Sequence, residues 1–225
     1  MKDKGGRKLK VLCLHGYGYS GAYLKMRLQV WPANVLEAMD FVFIDAPFPT
    51  NNKPFPAFSW FNSSPEDVGE YDRTFGESMT LIEETMVKFG PFDGVLGFSQ
   101  GAYIAAALPG MQAQGVALTE VEAIKFVVVI SGGKLGGSKV PAPTLAKNAF
   151  SSPIEIPSLH CFGENDSFAK LPATELLGSF VDPFVIFHSG GHEVPKLDEN
   201  GLKVMKSFLH KIETIPPGRG IWSRL

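Results

Sequence analysis

The sequence predicts an α/β fold: a mostly parallel, six-stranded sheet with helices on both faces. Three observations carry this expectation. Short, apolar, β-branched runs alternate with helical patterns along the chain, as parallel sheets buried on both sides require. The 225 residues, 44% of them hydrophobic, suit one core without a staple, so a single domain over 1–225 is expected, with its core at about 9–212. Two irregular segments follow the C-terminal ends of strands, where α/β proteins place their site loops.

In chain order, strands are expected at Leu9 to Leu14, Phe41 to Asp45, Gly94 to Phe98, Phe126 to Ser131, Ser158 to Gly163 and Phe184 to His188. Between the first two, Leu24 to Met39 reads as a helix interrupted near Pro32. Phe75 to Phe89 is amphipathic, with Met79, Ile82, Met86 and Phe89 spaced three and four apart on one face. Ala102 to Gln114 is a helix carrying Pro109, and Leu197 to Ile212 is striped by Leu202, Met205, Phe208 and Leu209.

The first irregular segment, Ala46 to Tyr71, holds Phe48, Phe55, Phe58, Trp60 and Phe61, while Pro47, Pro49, Pro54 and Pro56 prevent a helix. It reads as an aromatic wall over a cavity, with a satellite apolar cluster under a long loop as the alternative. The second, Gly132 to Pro157, is rich in Gly, Ser and Pro and reads as a mobile loop or short cap. The tail after Thr214 has no periodic partner and is expected to be poorly ordered or docked through Trp222.

Composition narrows the partners. With 21 basic against 23 acidic residues, a net charge of -2 and no long block of one sign, neither a nucleic-acid nor an anionic-membrane surface is expected. Cys13 and Cys161 lie in apolar runs and read as buried thiols. The opening MKDKGGRKLK leads into no apolar signal, and no run of 18 apolar residues occurs. A cytoplasmic location, with the nucleus open to it, is the expectation. No metal or other cofactor is expected: there is no His-x-x-x-His or Cys-x-x-Cys spacing, and GYGYSG lacks the third glycine of a dinucleotide loop.

The chemistry concentrates at Gly97-Phe98-Ser99-Gln100-Gly101, directly after the strand GVLGF and before the helical AYIAAAL. A serine on a sharp strand-to-helix turn is an exposed nucleophile, and flanking glycines remove the Cβ clashes of such a turn. A phosphate cradle is the alternative, but no Lys-Ser/Thr pair follows.

A serine needs a histidine to take its proton, and that histidine needs an acceptor to fix its tautomer. His192, on a short Gly-rich turn between the last strand and last helix, is the candidate, with His188 behind it. Asp166, just past the strand Ser158 to Gly163, is the acid, with Glu164 as its competitor. The backbone N–H groups of Tyr17, after the His15-Gly16 turn, and of Gln100 are placed to serve one oxyanion. His15 itself is expected to hold that turn.

With these pieces in hand, the chain resembles the FSH family of serine hydrolases, of the α/β-hydrolase superfamily. LCLHGYGYSG, VFIDAPFP, Trp60-Phe61, GPFDGVLGFSQGA, SPIEIPSLHCFGEND and GGHEVP carry the resemblance. It implies an α/β-hydrolase fold with little or no cap, and a carboxylesterase or acyl-thioesterase with Ser99, Asp166 and His192 as triad and a small-molecule ester or thioester as partner. Phe48, Phe58, Trp60, Phe61 and Tyr103 are the residues expected to bind an apolar acyl group. Tyr103 stands where the family usually has a small or aliphatic residue. An α/β-hydrolase-fold sensor with slow turnover is the alternative reading.

Overall fold

The computed structural model describes residues 8–51, 55–62, 67–168 and 170–215. The elements run β1 (Leu9–Leu14), α1 (Gly21–Leu28), α2 (Ala33–Leu36), β2 (Met39–Ile44), β3 (Phe48–Pro49), β4 (Phe58–Ser59), α3 (Val68–Phe89), β5 (Gly94–Phe98), α4 (Gln100–Ala113), β6 (Phe126–Ile130), β7 (Ser158–Gly163), α5 (Lys170–Leu177), β8 (Phe184–His188) and α6 (Glu199–Glu213).

Six strands form one sheet in the order β2-β1-β5-β6-β7-β8, and every pairing in it is parallel. The chain starts at β1, steps out to β2, then returns to the other side of β1 to lay down β5. The direction of winding therefore reverses between β1 and β5, and the crevice at the C-terminal ends of those strands is where such sheets hold ligands.

Side-chain alternation sorts the strands onto two apolar layers. Leu12, Leu14, Val95, Val127 and Val129 face α3 and α4. Val11, Cys13, Leu96, Phe98, Val128 and Ile130 face α1, α2 and α6. Helix α4 is buried almost all round, from Ala102 to Leu108, because α3 and the 132–157 segment cover what the sheet does not.

Several boundaries differ from the sequence expectation, each for a local reason. Helix α1 begins at Gly21 because Ser20 caps it, its Oγ accepting the Tyr23 N–H at 3.2 Å. The chain leaves α1 before Pro32, makes one turn of α2, and enters β2 at Met39, two residues before the expected Phe41. Helix α3 starts at Val68, not Phe75, because Asp67 accepts the Glu70 N–H at 2.9 Å. Its stripe runs through Tyr71, Phe75, Met79, Ile82 and Met86, whereas Phe89 is exposed at the end. Strand β6 stops at Ile130 because Ser131 takes a left-handed φ of 50°.

Helix α5 was hidden by Pro172, which reads as a breaker but is tolerated in a first turn. The 132–157 segment is tied down more closely than its composition suggests. Leu135 bridges Val140, Tyr71 Oη donates to Pro141 O at 2.7 Å, and the Thr144 N–H and hydroxyl donate to Asp72 at 2.7 and 2.6 Å. Among the described residues, no helix is long and apolar enough to cross a membrane. Trp222 lies outside the described residues.

Candidate active site

Ser99 sits between β5 and α4 with φ 52° and ψ -116°, a conformation that costs an L-residue roughly 1–3 kcal/mol and persists where the surroundings force it. The surroundings here are very tight. A Cβ on Gly97 would lie 2.2 Å from Gly101 O, and one on Gly101 would lie 2.3 Å from Leu14 O. Only glycine at both positions lets strand, turn and helix approach so closely.

The loop after β8 brings His192 over this turn, with Nε2 2.7 Å from Ser99 Oγ and Nδ1 2.8 Å from Asp166 Oδ2. The Asp166 side chain is wholly buried, and its Oδ1 accepts the Phe168 N–H at 2.9 Å. With Nδ1 donating to that carboxylate, Nε2 is left to accept from the serine hydroxyl. The His192 ring is flanked by Phe98 and Phe168, at centroid distances of 5.4 and 5.7 Å.

The acid and histidine loops are stitched together: Glu164 N–H donates to His188 O at 2.8 Å, Asn165 N–H to Gly190 O at 3.1 Å, and Asn165 Nδ2 to Ser189 O at 2.7 Å. Glu164 itself points to solvent. His188 turns back into its own loop, where Nδ1 accepts the Gly190 N–H at 3.2 Å and burial pushes its pKa down. His160 is inside β7 with Nε2 3.0 Å from Ser158 Oγ, and His210 is exposed on α6. Of the histidines and acids weighed from the sequence, the structure brings His192 and Asp166 to Ser99.

His15 ties the end of β1 to the start of the aromatic segment. Its Nε2 accepts the Ala46 N–H at 3.0 Å, so its proton is on Nδ1, 2.7 Å from Gly16 O. Burial pushes its pKa down and keeps it neutral. Tyr17 and Gln100, the expected oxyanion donors, line the same cavity as Ser99 and His192. Gln100 is the first residue of α4, where helical N–H groups have no intrahelical acceptor.

The cavity holds about 870 Å³. Phe48, Phe61 and Tyr103 form part of its wall, as expected, together with Tyr19, Ser131 and Phe168, which sequence reasoning did not single out. Phe168 follows Asp166 by two residues, and that proximity was the available signal. Trp60 and Phe58 do not line it. Trp60 is completely buried, its Nε1 donating to His15 O at 2.7 Å, and Phe58 packs on the His15 ring in the short β3–β4 hairpin. Both stand behind the wall because the indole N–H needs a buried acceptor, and β4 bonds back to Gly18 and Tyr19.

A parallel sheet reversing at β1/β5, a strained serine after β5 and a histidine delivered after β8 define an α/β-hydrolase. The chain belongs to the serine hydrolase (FSH1) family, whose profile matches residues 1–204. An esterase of Anopheles gambiae is 34% identical over 205 residues, covering 85% of this chain and 73% of that protein. One of Drosophila melanogaster is 32% identical over 221 residues, covering 92% and 75%. Among solved structures, esterase PE8 superposes with a TM-score of 0.60 at 23% identity, over 94% of this chain and 96% of that one. A carboxylesterase from Mesorhizobium loti superposes at 0.59 and 14% identity, over 88% and 87%. These structural likenesses speak to the fold.

Proposed function

We propose that this protein is a serine esterase that cleaves carboxylic esters or thioesters of small acyl groups through an acyl-enzyme. The observation that carries the proposal is the hydrogen-bonded series Ser99–His192–Asp166 opening on one cavity. The esterase names of the relatives support it.

In this mechanism His192 Nε2 takes the Ser99 proton as Oγ attacks the acyl carbon. The resulting oxyanion is held by the N–H groups of Tyr17 and Gln100, where one donor is worth about 10²- to 10³-fold in rate. Asp166 keeps the imidazolium oriented. The carbon–oxygen or carbon–sulfur bond to the leaving group breaks as His192 passes its proton to that group. Water then attacks the acyl-enzyme by the same route and returns Ser99 to its free form. The acyl chain lies against Phe48, Phe61 and Tyr103, each buried CH₂ contributing about 0.8 kcal/mol.

The test is turnover of p-nitrophenyl esters from acetate to palmitate by wild type, Ser99→Ala and His192→Ala. Multiple turnover that both variants lose supports the esterase. A single stoichiometric burst, or no product from any ester, overturns it and favours a ligand-binding role for the same cavity.

A further inference from the structure

Most polar side chains in the cavity wall already have protein partners. Ser59 Oγ donates to Phe61 O at 3.0 Å, Thr74 Oγ1 to Glu70 O at 2.7 Å, and the Gln100 amide is engaged at both ends, with Trp60 N–H and Phe61 O. Two hydroxyls of the same wall differ: the oxygens of Ser131 and Thr50 are buried and have no hydrogen-bond partner among the described residues. A buried polar group left unpaired forfeits its hydration without compensation, and in a native structure it calls for a partner supplied by something else.

Ser131 is unusual a second time, in its backbone. Its φ of 50° is a region that glycine occupies without a Cβ penalty, and the next two residues are glycines. Serine at this position carries backbone strain that glycine would avoid. What serine brings in return is the hydroxyl.

Its location gives that hydroxyl a target. Phe98 pairs with Ile130, so Ser99 and Ser131 each follow one member of a matched pair on neighbouring strands, about 4.8 Å apart. The Ser99 N–H donates to Ile130 O at 2.9 Å, and the Ser131 N–H to Cys161 O at 2.9 Å, fixing both residues at the same level. An acyl carbon bonded to Ser99 Oγ therefore has Ser131 beside the first atoms of its chain. Each carbon–carbon bond adds about 1.5 Å, and a hydroxyl hydrogen bond spans about 2.8 Å. A substituent one or two carbons from the carbonyl falls within that reach.

We infer that Ser131 selects esters or thioesters whose acyl group bears a hydroxyl or oxo oxygen on the carbon α or β to the scissile carbonyl. The inference rests on the esterase reading above and narrows its substrate class. A plain alkyl chain leaves the Ser131 hydroxyl unpaired, whereas an oxygen at either carbon completes it. The gain of one such bond corresponds to a preference of about tenfold.

The experiment compares kcat/KM for p-nitrophenyl 3-hydroxybutyrate and 2-hydroxybutyrate with the 3-methylbutyrate and 2-methylbutyrate esters, in which a methyl replaces the hydroxyl at similar size. Wild type is expected to favour at least one hydroxy ester over its methyl counterpart by about tenfold, and Ser131→Ala to bring that ratio to about one. Ser131→Gly, which also relieves the backbone strain, is expected to give the same ratio and so separates loss of the hydroxyl from misfolding. A wild type without the preference, or variants that keep it, overturns the inference. Equal loss on all four esters also overturns it, since Ser131 would then support the reacting groups and not the substrate's oxygen. Absence of any turnover by wild type removes the esterase reading itself, a result distinct from turnover without preference.

Discussion

The backbone N–H of Trp60 donates to Oε1 of Gln100 at 2.8 Å, and Nε2 of the same amide donates to Phe61 O at 2.7 Å. The residue after Ser99 thus clamps the aromatic segment to the turn between β5 and α4. Gln100→Ala would leave the Trp60 N–H unpaired at the cavity wall and strip Phe61 O of one of its two donors. It should destabilise the protein by about 2 kcal/mol and raise KM for esters. Urea unfolding alongside ester kinetics checks this; an unchanged midpoint would show that water replaces the clamp.

The contact between Asp166 and His192 Nδ1 predicts a specific failure in Asp166→Asn. An amide can donate to the ring and so favour the tautomer with its proton on Nε2, which cannot take one from Ser99. Turnover should fall by about 10⁴-fold with the fold retained. Ester kinetics and near-ultraviolet circular dichroism test the two halves of the statement, and a loss below tenfold would remove Asp166 from its orienting role.

The glycines beside Ser99 should tolerate no side chain. A Cβ on Gly97 would meet Gly101 O at 2.2 Å and one on Gly101 would meet Leu14 O at 2.3 Å, and both obstacles are backbone. Gly97→Ala and Gly101→Ala are each expected to cost about 3 kcal/mol or more. Soluble yield and thermal midpoint report the outcome; wild-type stability in either variant would mean that the turn can open.

Stability should fall on the acid side because of His160. Burial pushes its pKa down to about 3, against about 6.5 for a free imidazole. Above pH 6.5 both folded and unfolded chains hold it neutral. Between 6.5 and 3 the unfolded chain takes up a proton that the folded chain refuses, so stability declines as pH drops through that window. Burial lowers the pKa of His15 and His188 as well, which steepens the same slope. His160→Leu should make it shallower by up to one proton, about 1.4 kcal/mol per pH unit. Urea unfolding at pH 6.5, 5.5 and 4.5 measures it, and identical slopes would contradict the assignment.

Neither thiol should react in the folded protein. Cys13 and Cys161 are fully buried, and burial pushes both pKa values up, that of Cys161 to about 12. A disulfide-exchange reagent at pH 8 should label neither in the native state and both in denaturant. Rapid native labelling would reveal opening of β1 or β7.

Much of the fold was legible because its signals are local. The strands Leu9–Leu14, Gly94–Phe98, Ser158–Gly163 and Phe184–His188 stand where short apolar runs lie between polar, Gly or Pro residues. Where a cap decided the boundary, as Asp67 does for α3, apolar periodicity missed it, since the first turn of that helix carries few apolar residues. Helix α5 was missed because Pro172 reads as a breaker outside its context.

The site divides in the same way. The sequence by itself determined the turn at Ser99, since the crowding that demands Gly97 and Gly101 arises within a strand-to-helix turn and its nearest neighbours. It also narrowed the histidine and the acid to a few residues on loops after strands. Only the tertiary structure decided that His192, 93 residues from Ser99 and 26 from Asp166, bonds to both, and that Glu164 and His188 face elsewhere. It alone put Trp60 behind the cavity wall and Ser131 level with Ser99 on the neighbouring strand. Those outcomes depend on which strands become neighbours and where buried hydrogen-bond donors find acceptors, and both are set by the closing of the sheet rather than by any stretch of chain.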